Sequence, residues 1–244
     1  MPQIPLIEDL TKGPIPPGSN ILVEFDPTSQ WYNASLTIAA GWIRSGGVAS
    51  YNVFDHAPED ARSHLKRLRL DVETLEREEK LRIIDWYSIQ LGQKSKEKYA
   101  NNSLKVADHS IIVRKQLLAA SGSPYLGSEY PHLDPDVLRI SDDEPGILLR
   151  FNDEKSYIDY WRIREIPLAA ATKSTLVVGT IKGVYSEYVY KSLEASADGV
   201  IDFKLEEESG EARNFMRIRS MRSVGYDSRW HRLKIGNNLE VTLE

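Results

Sequence analysis

Residues 21–36 read Ile21-Leu22-Val23-Glu24-Phe25-Asp26-Pro27-Thr28-Ser29-Gln30-Trp31-Tyr32-Asn33-Ala34-Ser35-Leu36. The apolar triplet Ile21-Leu22-Val23 predicts a short buried strand, and Leu36, Ala39, Ala40 and Ile43 recur at helical spacing after a turn around Pro27. The order is strand, loop, helix. A phosphate-binding loop has this order, but it needs glycines so that backbone N–H groups wrap a triphosphate, a Lys for the outer phosphates and a Ser or Thr for magnesium. Between Phe25 and Tyr32 there is no glycine and no lysine.

The rest of the chain sets the context for that loop. With 244 residues, the chain can bury a sizeable core as one large domain or as one domain with an appendage. A hydrophobic share of 41% against 27% charged is that of a globular protein rather than a disordered one. The absence of cysteine excludes disulfides, thiolate zinc sites and thiol catalysis. No apolar run has the length of a membrane helix and the start carries no signal pattern, so a cytoplasmic location is expected. A net charge of -5 argues mildly against a protein coated for nucleic acid, yet the charges are segregated. Residues 194–211 hold seven acids and one lysine, while residues 213–232 hold six arginines and one acid, Asp227. Two faces of opposite sign are therefore expected near one another.

Read in order, a proline-rich extended lead-in (2–18) precedes a strand at 20–25. A helix follows from an Asn33 N-cap to Arg44, stopped by Gly46-Gly47. Then come a strand at 48–54, a helix opening at Pro58, a short acidic helix at 72–79 and a strand at 80–86. Residues 93–145 read as an insertion, with a helical stretch at 104–120. Regularity resumes with a strand at 147–151, a helix at 154–165 and a strand at 175–179. Alternation at 200–205 and 213–221 around a Glu-Ser-Gly turn predicts an antiparallel hairpin, and 232–235 with 239–243 another. Strand and helix alternation predicts an α/β domain over residues 1–244, a mostly parallel sheet flanked by helices with a hairpin region at 200–244.

Four segments in this order resemble the KaiC-like branch of the RecA-type ATPases. They are Gly18-Ser19-Asn20-Ile21-Leu22-Val23, the stretch from Leu70-Asp71-Val72-Glu73 through Arg82-Ile83-Ile84-Asp85, the stretch Leu193-Glu194-Ala195-Ser196-Ala197-Asp198-Gly199-Val200-Ile201, and Ile218-Arg219-Ser220-Met221-Arg222. The resemblance implies a RecA-like fold and places the phosphate-binding loop at Phe25, Asp26, Pro27, Thr28, Ser29, Gln30, Trp31 and Tyr32. Phe25, Thr28 and Gln30 then hold the glycine positions, Trp31 the lysine position and Tyr32 that of the magnesium-binding hydroxyl. A Cβ at a glycine position blocks close backbone approach, and loss of the lysine removes the charge that meets the outer phosphates. The family's paired glutamates are matched by Asp55 and His56. Its second motif, an apolar strand ending in Asp, is matched by residues 147–152, so that Asn152 or Asp153 holds the acid's place. Of a basic pair that reaches a neighbouring subunit's nucleotide, Ser220 takes the lysine position and Arg222 that of the arginine.

The resemblance thus implies a RecA-like subunit that has lost its ATPase chemistry: no cofactor, no catalytic residue beyond the vestigial Asp55, His56, Asn152 and Asp153, and a binding, regulatory or scaffold role. By analogy it implies an archaeal or bacterial cytoplasm and assembly with copies of itself or with an active relative. Arg213, Arg217 and Arg219 share a strand face with Phe215, and Arg222 follows. They suit phosphate, a subunit contact or nucleic acid, or else pair across the hairpin with Asp202 and Glu206. Further alternatives are ATP held in an atypical mode, or another ligand in the remodelled loop with Asp55 and His56 as acid and base. The five histidines show no metal spacing, and no metal site is expected.

Overall fold

The computed structural model describes residues 2–100, 137–148, 153–208 and 210–244. Among them, nine strands form one sheet in the order β3-β2-β4-β5-β1-β6-β7-β8-β9. Six run parallel: β1 (Asn20–Phe25), β2 (Val48–Val53), β3 (Leu81–Asp85), β4 (Val137–Ser141), β5 (Thr175–Ile181) and β6 (Gly199–Glu208). β7 (Glu211–Met221), β8 (His231–Ile235) and β9 (Val241–Leu243) then continue antiparallel from β6.

Strand β1 lies between β5 and β6 and is buried along its whole length, as an apolar parallel strand covered on both faces must be. Ile21, Val23 and Phe25 point into one core with helix α1 (Trp31–Arg44), where Leu36, Ala39, Ala40 and Ile43 are buried as their spacing requires. α2 (Pro58–Arg67) and α3 (Val72–Arg77) cover the same face near β2 and β3. The lead-in adds Ile4, Leu6, Ile7 and Leu10 to this core, and it is tied to the far end of the chain by a bridge between Thr11 and Tyr226.

Leu22, Leu176, Val178 and Val200 face the opposite core. It is closed by α4 (Tyr87–Gln90), by α5 (Glu154–Tyr160), and by α7 (Glu187–Ser196) through Val189 and Leu193. α5 runs through a π-turn (Trp161–Glu165) into α6 (Ile166–Thr172). No helix among the described residues is long and apolar enough to cross a membrane.

Three expectations need correction. Residues 137–145 are not part of a peripheral insertion, because β4 is a central strand between β2 and β5. Residues 101–136, with the helical stretch expected at 104–120, lie outside the described residues. No strand begins at 147: Glu144–Ile147 is a 3-10 turn and Leu148 is helical, while 149–152 lie outside the described residues. The apolar strand followed by an acid is instead Val137-Leu138-Arg139-Ile140-Ser141 with Asp142 next. Arg139 and Ser141 interrupt its apolar character because both face a buried polar network, which hides the strand from a search for hydrophobic runs. Finally, α1 starts at Trp31, and Asn33 is inside it rather than its cap. A turn closed by the Ser29 N–H on the Asp26 carbonyl (2.9 Å) shortens the loop, so that Trp31 and Tyr32 are helical residues.

Candidate functional site

The carboxyl ends of parallel strands leave a crevice where the connections diverge. Here β1, β2, β4 and β5 end around a cavity of about 270 Å³ lined by Phe25, Pro27, Ser29–Asn33, Asp55, His56, Asp142 and Ile181. Among the described residues its lining holds no lysine or arginine.

Trp31 is 1% exposed and points into the core, not into solvent. Its indole packs edge-on against Phe203 (centroids 5.4 Å apart) and tilted against Phe25 (6.1 Å). Its Nε1–H donates to the backbone carbonyl of Asp142 at 2.8 Å. The space comes from β5: a Cβ on Gly179 would lie 2.0 Å from the Asp142 carbonyl oxygen and 2.3 Å from the Trp31 indole nitrogen. A side chain at 179 and an indole at 31 are therefore mutually exclusive. Tyr32 stacks on His56, with rings 3.6 Å apart and 16° from parallel.

Asp142 is the acid that ends β4. Its Oδ1 accepts from the Phe54 and Asp143 N–H groups, both at 2.8 Å, and its Oδ2 from the Asp55 N–H at 3.3 Å, with His56 Nδ1 at 3.2 Å. This carboxylate stitches the end of β2 to the end of β4. Asp143 is fully buried; it accepts from the Ile181 N–H at 3.1 Å and from the Tyr185 hydroxyl. Burial, with the charge of Asp55 second, holds its carboxyl well above the ordinary range against those hydrogen bonds. Asp55 stands at the mouth. Loss of hydration among its neighbours and the charge of Asp142 push its carboxyl up to about 6, and His56 pulls the other way.

These shifts carry a pH dependence. A carboxyl raised in the folded state keeps its proton where the unfolded chain has lost it, so its contribution is present at low pH and fades as pH rises. For Asp55 the loss spans about pH 4 to 6, between the ordinary carboxyl value of 3.8 and its folded value of about 6. Asp143→Asn preserves an acceptor for the Ile181 N–H and removes the titration. Thermal melting should show the variant more stable than the parent at alkaline pH, with the gap closing in acid. A constant gap would mean that Asp143 folds without its proton.

The other expected residues are distributed as follows. Asp26 accepts from the Leu205 N–H at 3.4 Å and lies 3.5 Å from Lys182 Nζ, while Pro27 and Thr28 form the exposed tip of the turn. Asp153 caps α5 through the Ser156 N–H (3.0 Å) and takes no part in the cavity. Asn152 lies outside the described residues. Arg217 is bound to Asp202 at 2.9 Å, and Arg219 to Glu24 at 3.0 Å and Glu194 at 2.8 Å. Arg222 donates to the Ala195 carbonyl at 3.1 Å. Arg217 and Arg219 are thus neutralised within the fold, Arg217 by its cross-strand partner Asp202 and Arg219 by Glu24 on β1 and Glu194 on α7. Among the described residues no group of three or more His, Asp or Glu side chains is placed to hold a metal ion. Sequence reasoning passed over Asp142, Asp143, Gly179 and Tyr185. The alternation in 137–141 ahead of two acids was the available signal for the first pair.

No protein-family model and no curated protein matches the sequence. Solved structures do. The KaiC-like protein PH0186 from the hyperthermophilic archaeon Pyrococcus horikoshii OT3 superposes with a TM-score of 0.73 at 18% identity, covering 100% of this chain and 97% of its own. The flagellar accessory protein FlaH from Methanocaldococcus jannaschii superposes with a TM-score of 0.69 at 13% identity, covering 97% of this chain and 94% of its own. A parallel core with a central β1, helices on both faces and an antiparallel C-terminal extension, matched end to end by these two proteins, gives the chain the fold of the KaiC-like, RecA-type proteins.

Proposed function

We propose that this chain is a RecA-like subunit without ATPase chemistry, acting as a binding or regulatory partner in an assembly with its own copies or with an active relative. The observation that carries this reading is the Trp31 indole, which stands at the lysine position of the loop and is built into the core on the Asp142 carbonyl. A triphosphate needs a cation beside its outer oxygens and glycine N–H groups at close range. The cavity lining offers neither, and its charged members other than His56 are carboxylates. Asp142, which ends the strand where the family carries its magnesium-orienting acid, is retained, but its oxygens are taken by three backbone N–H groups and His56. The site does not fit ATP with magnesium in the family's usual mode.

The test is thermal melting with millimolar ATP and magnesium, alongside phosphate release. A ligand present at a hundredfold over its Kd stabilises by about 2.7 kcal/mol, a rise of several degrees for a chain of this size. The expected results are no rise and no release; a rise in melting temperature or a release of phosphate overturns the reading. Light scattering should show an oligomer, or a monomer that co-elutes with an active relative. The neutralised state of Arg217 and Arg219 does not favour a nucleic-acid role.

A further inference from the structure

We propose that the cavity at the ends of β1, β2 and β4 binds a small organic cation, an alkylamine or alkylguanidinium, with Asp55 as counter-charge and the aromatic wall of Phe25 and Tyr32 around its alkyl part. The proposal rests on the reading that the loop does not receive a triphosphate, and goes on to say what the altered site accepts instead.

The first support is shape. A concavity of about 270 Å³ lies just under the roughly 300–1,000 Å³ typical of sites for drug-sized ligands, so its occupant is small. Its walls are mixed in the way such sites require, with Phe25, Pro27, Tyr32 and Ile181 on one side and a few polar groups on the other.

The second support is charge. Among the described residues the lining has Asp55 and Asp142 and no lysine or arginine. Lys182, at the end of β5, is engaged by the Phe203 carbonyl at 3.1 Å and by Asp26, so it does not offset them. An anion entering would face two carboxylates with no lysine or arginine among the described lining residues to offset them, whereas a cation is attracted by both.

The third support separates the two lining carboxylates. Asp142 is saturated by three N–H groups and His56, but the Asp55 side chain accepts no hydrogen bond among the described residues and stands exposed at the mouth. An ammonium or guanidinium reaches Asp55 without disturbing the β2–β4 stitch, and its alkyl stem then passes over rings whose faces attract cations. Burial first, and the charge of Asp142 second, raise the Asp55 carboxyl, and that shift gives the site its pH signature.

The probes are n-butylamine and n-butylguanidinium, with n-butanol as the neutral control, followed by calorimetry and by the proton resonances of Tyr32 and His56. Both cations are expected to bind at about pH 8 and to shift those resonances, with butanol inert. Binding should weaken at about pH 5, where Asp55 carries its proton. Asp55→Asn, a change at an exposed side chain that circular dichroism can show to leave the fold intact, should weaken binding about tenfold or more, as expected on removing a charge-assisted hydrogen bond. Equal affinity in Asp55→Asn, or butanol binding as tightly as the amine, overturns the proposal. If neither amine binds while ATP with magnesium also fails to stabilise, this proposal falls and the reading of lost ATPase chemistry stands. If the nucleotide stabilises and no amine binds, both fall.

Discussion

Trp31→Ala is expected to lower the unfolding free energy by about 3–5 kcal/mol, the range for emptying a large aromatic site in a packed core. For a chain of this length that is a fall in Tm of roughly 6–20 °C. The size of the effect follows from position. Trp31 is among the largest fully buried side chains, wedged between Phe25 and Phe203 and opposite a glycine that has no Cβ because the indole occupies its space. Removing it leaves a cavity and strips the Asp142 carbonyl of its indole donor, and the two losses add. Trp31→Phe separates them: most of the ring volume remains and the donor is lost, so its cost should be about 1–3 kcal/mol. Chemical denaturation of the three proteins measures both terms. If Trp31→Ala costs under about 1 kcal/mol, as surface substitutions do, then the indole faces the cavity in solution and the lysine position of the loop is open to a ligand. The stability experiment thereby tests the functional reading without any nucleotide present.

Much of the architecture was readable because parallel strands and their helices advertise themselves. Ile21-Leu22-Val23, the 36/39/40/43 spacing of α1 and the alternation of 213–221 each reflect a local periodicity that burial on both faces or on one face imposes. β4 was not readable for the converse reason. Arg139 and Ser141 point into a polar network that no local pattern announces, since Glu165 comes from a π-turn 26 residues away. The same holds at the site. That the loop lacks glycine and lysine is a statement about composition, and the sequence contains it. That Trp31 turns inward depends on Gly179, 148 positions later, and on the Asp142 carbonyl. Arg217 shows the opposite case: its register with Asp202 was inferable from the hairpin and implied its neutralisation, whereas Arg219 finds Glu24 and Glu194 outside the hairpin.

The pair Arg139–Glu165 carries the second large effect. Arg139 Nη2 lies 2.5 Å from Glu165 Oε2, with side chains 4% and 0% exposed, so both charges are out of water. The remaining Glu165 oxygen takes the Tyr160 hydroxyl. Breaking such a pair from one side leaves a buried charge without compensation and costs about 3–5 kcal/mol, whereas replacing both partners by apolar residues of similar volume is often neutral or stabilising. Arg139→Met and Glu165→Met are therefore each expected to lose about 3–5 kcal/mol in urea denaturation, and the double variant to lose less than either. One neighbour gives the rescue a pH dependence. Glu144 is buried beside the pair, held by Ser141 Oγ at 2.7 Å, and burial, with the charge of Glu165 second, raises its carboxyl above the ordinary range while Arg139 opposes the shift. The double variant removes Glu165, the stronger of the two charge influences, together with Arg139, so the Glu144 carboxyl stays raised mainly by burial and the double variant should lose less stability than the parent as pH rises. Additive single costs would mean that the two charges do not depend on each other.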